Sequence, residues 1–178
     1  RFSVEMLEDT KYKSRLLNVF IRMEGLINEM ALIEQISSGF EQTRVEEYRA
    51  VDVISEAIDL GFFESENYTL DISEDLMLHA DYKLFATAIK NMIDNAIKYS
   101  AEQGVVQVQL QADAAVARVQ VLDQGRGISA ENLPQIGNRF YRTDKARNRQ
   151  TSGTGLGLSL VQSILVLYGG QFDIHSDG

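Results

Sequence analysis

Two runs of alternating character, Val105 to Ala112 and Ala115 to Leu122, do most to narrow the folds open to this chain. Val106, Val108 and Leu110 in the first, and Ala117, Val119 and Val121 in the second, are separated by mostly polar neighbours, so each run presents one apolar face. Asp113-Ala114 between them reads as a hairpin turn. A ribbon that is apolar on one face must be covered there, and the surrounding sequence supplies helices to do it. Asp81 suits the N-cap of a helix through Tyr99, with Leu84, Phe85, Ala88, Ile89, Met92, Ile93 and Ala96 on its buried side. Asp52 to Leu60 reads as a helix with Val53, Ile54, Ala57 and Ile58 inward, and Leu158 to Tyr168 as another. Gly61 and Gly169-Gly170 are their expected stops. Glu46 to Val51, Tyr68 to Ile72, Met77 to Ala80 and Gln171 to His175 read as further strands.

The chain opens differently. Leu16, Phe20, Met23, Ile27 and Met30 alternate spacings of four and three, a heptad seam, while Lys13, Arg15, Arg22, Glu24 and Glu29 fall on other faces. Such a seam suits a helix that pairs with others in a bundle; the alternative is an ordinary amphipathic helix packed on its own domain. Ser37-Ser38-Gly39 ends it and marks a domain boundary.

Composition removes several functions. The 178 residues are 44% hydrophobic, enough for a real core, and no run approaches the roughly 18 to 20 apolar residues of a spanning helix. The first residues, Arg1-Phe2-Ser3-Val4-Glu5, lack the basic and apolar regions of a signal peptide, so this segment is not expected to enter a membrane. There are no cysteines, which excludes disulfides and thiolate metal sites and fits the cytoplasm as its expected location, and the net charge of -9 argues against a nucleic-acid binder.

Three short motifs carry the chemistry. In Asn91-Met92-Ile93-Asp94-Asn95-Ala96-Ile97-Lys98-Tyr99-Ser100, Asn91 and Asn95 share one side of a helix and Lys98 follows about a turn later. A carboxamide oxygen is a hard neutral ligand suited to Mg²⁺, Lys98 supplies a point charge for phosphate, and Tyr99 offers a ring to a base or ribose. Asp123-Gln124-Gly125-Arg126-Gly127-Ile128 follows a strand directly, where the carboxylate is expected to be poorly solvated. An ionised carboxylate only accepts hydrogen bonds, so Asp123 can select an exocyclic amine such as that of adenine; a plain Asp-Gly turn is the alternative. Gly125 and Gly127 remove side chains where the backbone turns or meets a ligand. In Gly153-Thr154-Gly155-Leu156-Gly157-Leu158 the glycines open a helix, whose free N–H groups favour an anion. This spacing is neither a Walker loop nor a Rossmann fingerprint. Between the glycine motifs, Ser129 to Ser152 is polar and reads as a lid; Arg139, Arg142, Lys145, Arg147 and Arg149 face only Asp144, with Arg142 the foremost candidate for γ-phosphate contact. His79 and His175 have no ligand-spaced partners.

The order of these motifs, with Arg139-Phe140-Tyr141-Arg142 before the last, resembles the ATP-binding domain of bacterial sensor histidine kinases. The resemblance runs from about Arg44 to Gly178, and Lys13 to Gly39 resembles the second helix of that family's dimerisation and phosphotransfer hairpin. It implies an α+β fold, a two-layer α/β sandwich with a mixed sheet preceded by part of a helical hairpin, and domains at 1–40 and 41–178. It implies ATP and Mg²⁺ as ligands, with Asn95 on the metal and Asn91, Lys98 and Arg142 at the phosphates. Tyr99 would sit by the adenine or ribose and Asp123 on the adenine amine. Gly125, Gly127, Ile128, Thr154, Gly155, Leu156, Gly157 and Leu158 would complete the pocket. It implies a kinase acting on histidine, a response regulator receiver domain as partner, a homodimer formed through the hairpin, and an intact protein anchored in the bacterial inner membrane. ATP-hydrolysing members of the wider superfamily carry Glu where this chain has Asn91. An Asn cannot act as a base, which favours phosphoryl transfer over hydrolysis. The alternatives are a nucleotide-binding scaffold without transfer activity and an ATP-hydrolysing switch. Two departures qualify the match. The acceptor histidine is expected before residue 1, with Arg1 to Glu8 ending the first hairpin helix, and the chain is expected to stop short of the strand that closes the sheet.

Overall fold

The fold described by this computed structural model comprises residues 11–39, 44–64, 66–73, 75–100, 104–113, 116–143 and 153–177. Helix α1 (Lys11–Ser38) ends, as expected, at Gly39, which takes a left-handed φ of 70°. Then follow β1 (Val45–Arg49), α2 (Ala50–Gly61), β2 (Tyr68–Ile72), β3 (Met77–Asp81), α3 (Tyr82–Tyr99), β4 (Val106–Asp113), β5 (Val116–Leu122), a 3₁₀ turn at Leu133–Gln135 and α4 (Gly157–Leu167). The expected Arg1 to Glu8 helix end lies outside the described residues.

The sheet is mixed, as expected. Strand β4 pairs with β2 in parallel and with β5 antiparallel, while β1 and β3 form a separate antiparallel pair. Parallel pairing of β2 and β4 needs a long crossover, and α3 lies within it. The alternation read from the sequence fixes which face is covered: Val106, Val108 and Leu110 are 0–1% exposed, beneath Val53, Ile54, Ala57, Ile89 and Ile93 of α2 and α3. Asp113 pairs with Val116 and so belongs to the strand, not to the turn.

A second apolar cluster joins Leu84 and Ala88 of α3 to Leu156, Leu160, Val161 and Ile164 at α4, and its other wall is Ile33 and Ile36 of α1. The heptad seam faces elsewhere: Leu16, Phe20, Met23, Ile27 and Met30 are all exposed, at 40–62%. Thus the last turns of α1 pack on the sandwich and the seam does not.

Helix α2 ends at Gly61, as expected; Phe62 after it, not the glycine, takes the left-handed conformation, at φ 50°. Gly61 admits the ring of Phe63, since a Cβ there would come within 2.1 Å of it. One expected strand needs correcting. Gln171 to His175 is not a strand. Its side chains alternate in exposure, but alternation sets faces and not a ladder, and no backbone partner lies beside it among the described residues. Phe172 packs on the α1/α4 cluster instead, and Ser176 Oγ accepts a hydrogen bond from the Ile128 N–H at 2.8 Å.

Tyr48 tests how the β1 end is built. Its ring is 8% exposed and packs edge-on against Tyr82 with centroids 5.0 Å apart, yet its hydroxyl is buried without a partner among the described residues. Burial, reinforced by the Tyr168, Asp81, Glu46 and Tyr82 groups nearby, pushes that hydroxyl well above the ordinary tyrosine range. Tyr48→Phe keeps the ring and removes an unsatisfied group, so it is expected to leave stability unchanged or raise it by about 1 kcal/mol. A clear loss of urea-unfolding stability would contradict this account.

Candidate nucleotide site

Helix α3 positions the first motif. Asp81 caps it as expected, with Oδ1 accepting from the Leu84 N–H at 3.0 Å, and the apolar side is anchored by Leu84, Ala88, Ile89, Ile93 and Ala96. This turns Asn91 and Asn95 toward a cleft bounded by β5, the two glycine motifs and the start of α4. Asn91 is 6% exposed and its Nδ2 has no partner among the described residues. A buried, unsatisfied amide costs about 1–3 kcal/mol, which a ligand acceptor would relieve. Its neighbour across the cleft is Gly157 at the head of α4: a Cβ there would lie 3.7–3.8 Å from the Asn91 carboxamide. The half-buried Asn95 lines the same cleft one turn along α3. Lys98 lines it too, its Nζ paired with Asp94 four residues back. Such a pair, about a third exposed, contributes little, so a phosphate could redirect the ammonium at small cost.

The second motif is fastened to the end of α3. Ser100 and Gly125 form an antiparallel bridge, and a Cβ on Gly125 would come within 2.5 Å of the Tyr99 carbonyl oxygen and 2.6 Å of Asp123 Oδ1. Only glycine fits. Asp123 itself is exposed, so the expectation of poor solvation fails: strand β5 ends at Leu122 and the carboxylate stands beyond the covered part of the sheet. Its Oδ1 accepts from the Gly125 N–H at 2.8 Å, which fixes the side chain and leaves Oδ2 for a ligand donor. The turn and the ligand readings of Asp123 are therefore compatible. Gly127 takes φ 68°, as its role in a tight turn requires, and the half-buried Ile128 follows it on the cleft wall. Arg126 lies over the Tyr99 ring at 5.3 Å, a cation–π contact the sequence did not suggest.

The third motif closes the other side. Gly155, at φ 74°, accepts a hydrogen bond from the Phe140 N–H at 2.8 Å, and a Cβ on it would meet the Phe140 backbone at 3.0 Å. Phe140 itself sits at φ 64°, a strained conformation for an aromatic residue. This close approach brings Tyr141, Arg142 and Thr143 to the cleft, with Arg142 half-buried. Lys145, Arg147 and Arg149, with Asp144, lie outside the described residues. Thr154, Gly155, Gly157 and Leu158 line the cleft; Leu156 lies behind it, its side chain fully buried in the second cluster. His79 and His175 are exposed. Among the described residues no group of three or more His, Asp or Glu side chains is arranged to hold a metal, and no helix is long and apolar enough to cross a membrane.

Residues 80–178, which hold all three motifs, match the histidine kinase-, DNA gyrase B-, and HSP90-like ATPases. The chain belongs to this ATPase family. The phosphate regulon sensor protein PhoR of Pseudomonas aeruginosa is 28% identical over 159 residues, covering 87% of this chain and 36% of that protein. The sensor protein IrlS of Burkholderia pseudomallei is 38% identical over 166 residues, covering 90% and 35%. The chain thus spans about a third of the length of these curated relatives. Among solved structures, the mycobacterial sensor histidine kinase MprB is similar, with a TM-score of 0.59 and 26% identity over 70% of this chain and 80% of that one. The relatives of this ATPase domain are sensor histidine kinases, and its mixed sheet preceded by a helix is the architecture of their catalytic domains.

In this member of the ATPase family, three residues on the cleft come from a segment outside the matched region. Arg22, Leu26 and Glu29 lie on one face of α1 and line the cleft beside the glycine-rich motif. The Glu29 carboxylate accepts a hydrogen bond from the Thr154 hydroxyl at 2.7 Å. Glu29 lies off the heptad seam of α1, and no local pattern in the sequence connects it with a loop 125 residues away.

Proposed function

We propose that this chain is the nucleotide-binding catalytic part of a sensor histidine kinase. It binds Mg-ATP and, in the intact protein, transfers the γ-phosphoryl group to a histidine of the helical hairpin, for relay to a response regulator receiver domain. The observation that carries this reading is the buried Asn91 carboxamide, unsatisfied at Nδ2 and facing the α4 N-terminus. It is a donor waiting for an anionic acceptor, and being an amide it cannot take a proton from water. In the transfer the bond between the γ-phosphorus and the bridging oxygen of ADP breaks, a phosphorus–nitrogen bond to imidazole forms, and the ring proton leaves to solvent or a base on the hairpin. Such a reaction depends on positioning and charge neutralisation, which Asn91, Lys98 and Arg142 would provide.

Asn95, one turn along α3, has a carboxamide oxygen suited to Mg²⁺, whose remaining ligands would be waters and phosphate oxygens. Bound there, the ion would neutralise phosphate charge. Tyr99 would contact the base or ribose. The intact protein would dimerise through its hairpin, consistent with the outward-facing seam of α1, and would be held at the bacterial inner membrane.

Calorimetry with MgATP tests the site. Asp123→Asn keeps the shape but turns a charged acceptor into a neutral group, so affinity is expected to fall by about 1–3 kcal/mol. Unchanged affinity would remove Asp123 from adenine recognition. Adding an intact acceptor hairpin in trans with labelled ATP tests the transfer: label on histidine is expected, and ATP binding without label would instead favour a scaffold.

A further inference from the structure

We propose that Glu29 of α1 opposes binding of a nucleoside triphosphate by holding a negative charge at the glycine-rich entrance to α4. Docking of α1 and occupancy of the phosphate end of the cleft are then antagonistic. This rests on the nucleotide reading above and adds a means of regulating that site.

The contact is built from two hydrogen bonds in series. Thr154 Oγ1 donates to Glu29 Oε2 at 2.7 Å and accepts from the Leu156 N–H at 3.2 Å. Leu156 caps α4 without a side-chain cap of its own, so this N–H belongs to the free, positive end of the helix. A hydroxyl donating to a carboxylate becomes a better acceptor, so the charge of Glu29 is relayed to the place where phosphate oxygens would gather. A triphosphate brings several negative charges to the same field. Glu29 is half-buried, which limits screening.

Other contacts fix α1 in this position. Ile33 is 1% exposed and Ile36 8%, both within the cluster containing Leu156 and Leu160. Arg139, within the Ser129 to Ser152 segment, donates from Nη2 to Ser37 Oγ at 3.0 Å. Helix α1 therefore bonds both to the glycine-rich motif and to that segment. Arg22 lies on the same face of α1 and carries the opposite charge, but it is exposed and two turns away, so solvent weakens its influence relative to the hydrogen-bonded Glu29. Linkage makes the coupling reciprocal: what the docked helix takes from triphosphate affinity, bound triphosphate takes from docking.

Calorimetry on the 178-residue chain with MgATP and with adenosine separates the possibilities. Glu29→Gln keeps an acceptor oxygen for Thr154 and removes only the charge. The variant is expected to bind MgATP about fivefold more tightly at low salt, the scale of one partly solvated charge, with the gain shrinking as salt rises. Adenosine, which has no phosphate, is expected to bind both forms alike. Hydrogen exchange over residues 30–38 is expected to quicken with MgATP but not adenosine in the wild type, and less in the variant. If both ligands bind and Glu29→Gln changes neither affinity, or changes both equally, the proposal is overturned while the nucleotide reading stands. If neither ligand binds the wild type, the nucleotide reading fails and the proposal with it.

Discussion

Gly125→Ala is expected to weaken MgATP binding more than about tenfold and to lower stability by about 1–3 kcal/mol, the usual range for overpacking. The added methyl would meet the Tyr99 carbonyl oxygen at 2.5 Å and Asp123 Oδ1 at 2.6 Å. The first neighbour is backbone at the end of α3 and cannot swing aside. Separating the two segments breaks the Ser100–Gly125 bridge, and with it the N–H that fixes Asp123. One substitution would thus displace the Asp123 carboxylate proposed to select adenine, the Tyr99 ring and the Arg126 guanidinium over that ring. Calorimetry and urea unfolding read the two effects separately. Normal affinity with normal stability would mean that the junction yields easily and that its close approach has no functional weight.

The other large effect lies behind the site. Leu160→Ala is expected to destabilise the chain by about 2–5 kcal/mol, the range for opening a cavity at a buried leucine. Leu160 is 1% exposed in the cluster where α1, α3 and α4 meet, so its loss removes packing from three helices together. Hydrogen exchange should show the largest gain at the last turns of α1, because the buried apolar residues of that helix, Ile33 and Ile36, pack on the sandwich through this cluster. A loss below about 1 kcal/mol, with unaltered exchange in α1, would show that the cluster collapses around the gap or does not hold the helix.

What the sequence disclosed follows from the range of the forces involved. The period of two in Val106, Val108 and Leu110, and the period near 3.6 in α3, are local, and both were legible because burial repeats within the element. The motifs were legible for the same reason, since Asn91 and Asn95 share a helix face by spacing alone. Docking of α1 was not. Continued past Met30, its heptad seam falls on Glu34 and Ser37, whereas Ile33 and Ile36, one residue earlier and about 100° around the helix, are the ones buried. The reason for a glycine at the end of α2 was not legible, because Gly61 looks the same in sequence whether it supplies a left-handed turn or room for the Phe63 ring. The exposure of Asp123 and the bond between Thr154 and Glu29 depend on where separate elements end in space, which no local pattern records.

The exposed length of α1 makes the helix a lever. Its 28 residues extend about 42 Å, and only the last few turns are fastened to the sandwich. With Ile33 as the pivot, Tyr12 lies about 31 Å away and Glu29 about 6 Å away. A tilt of about 10° that carries Tyr12 through about 5 Å therefore moves Glu29 by about 1 Å. That small displacement is enough to lengthen a 2.7 Å hydrogen bond beyond useful range. The arm thus gears a broad swing at its far end down to the making or breaking of one contact at the glycine-rich motif.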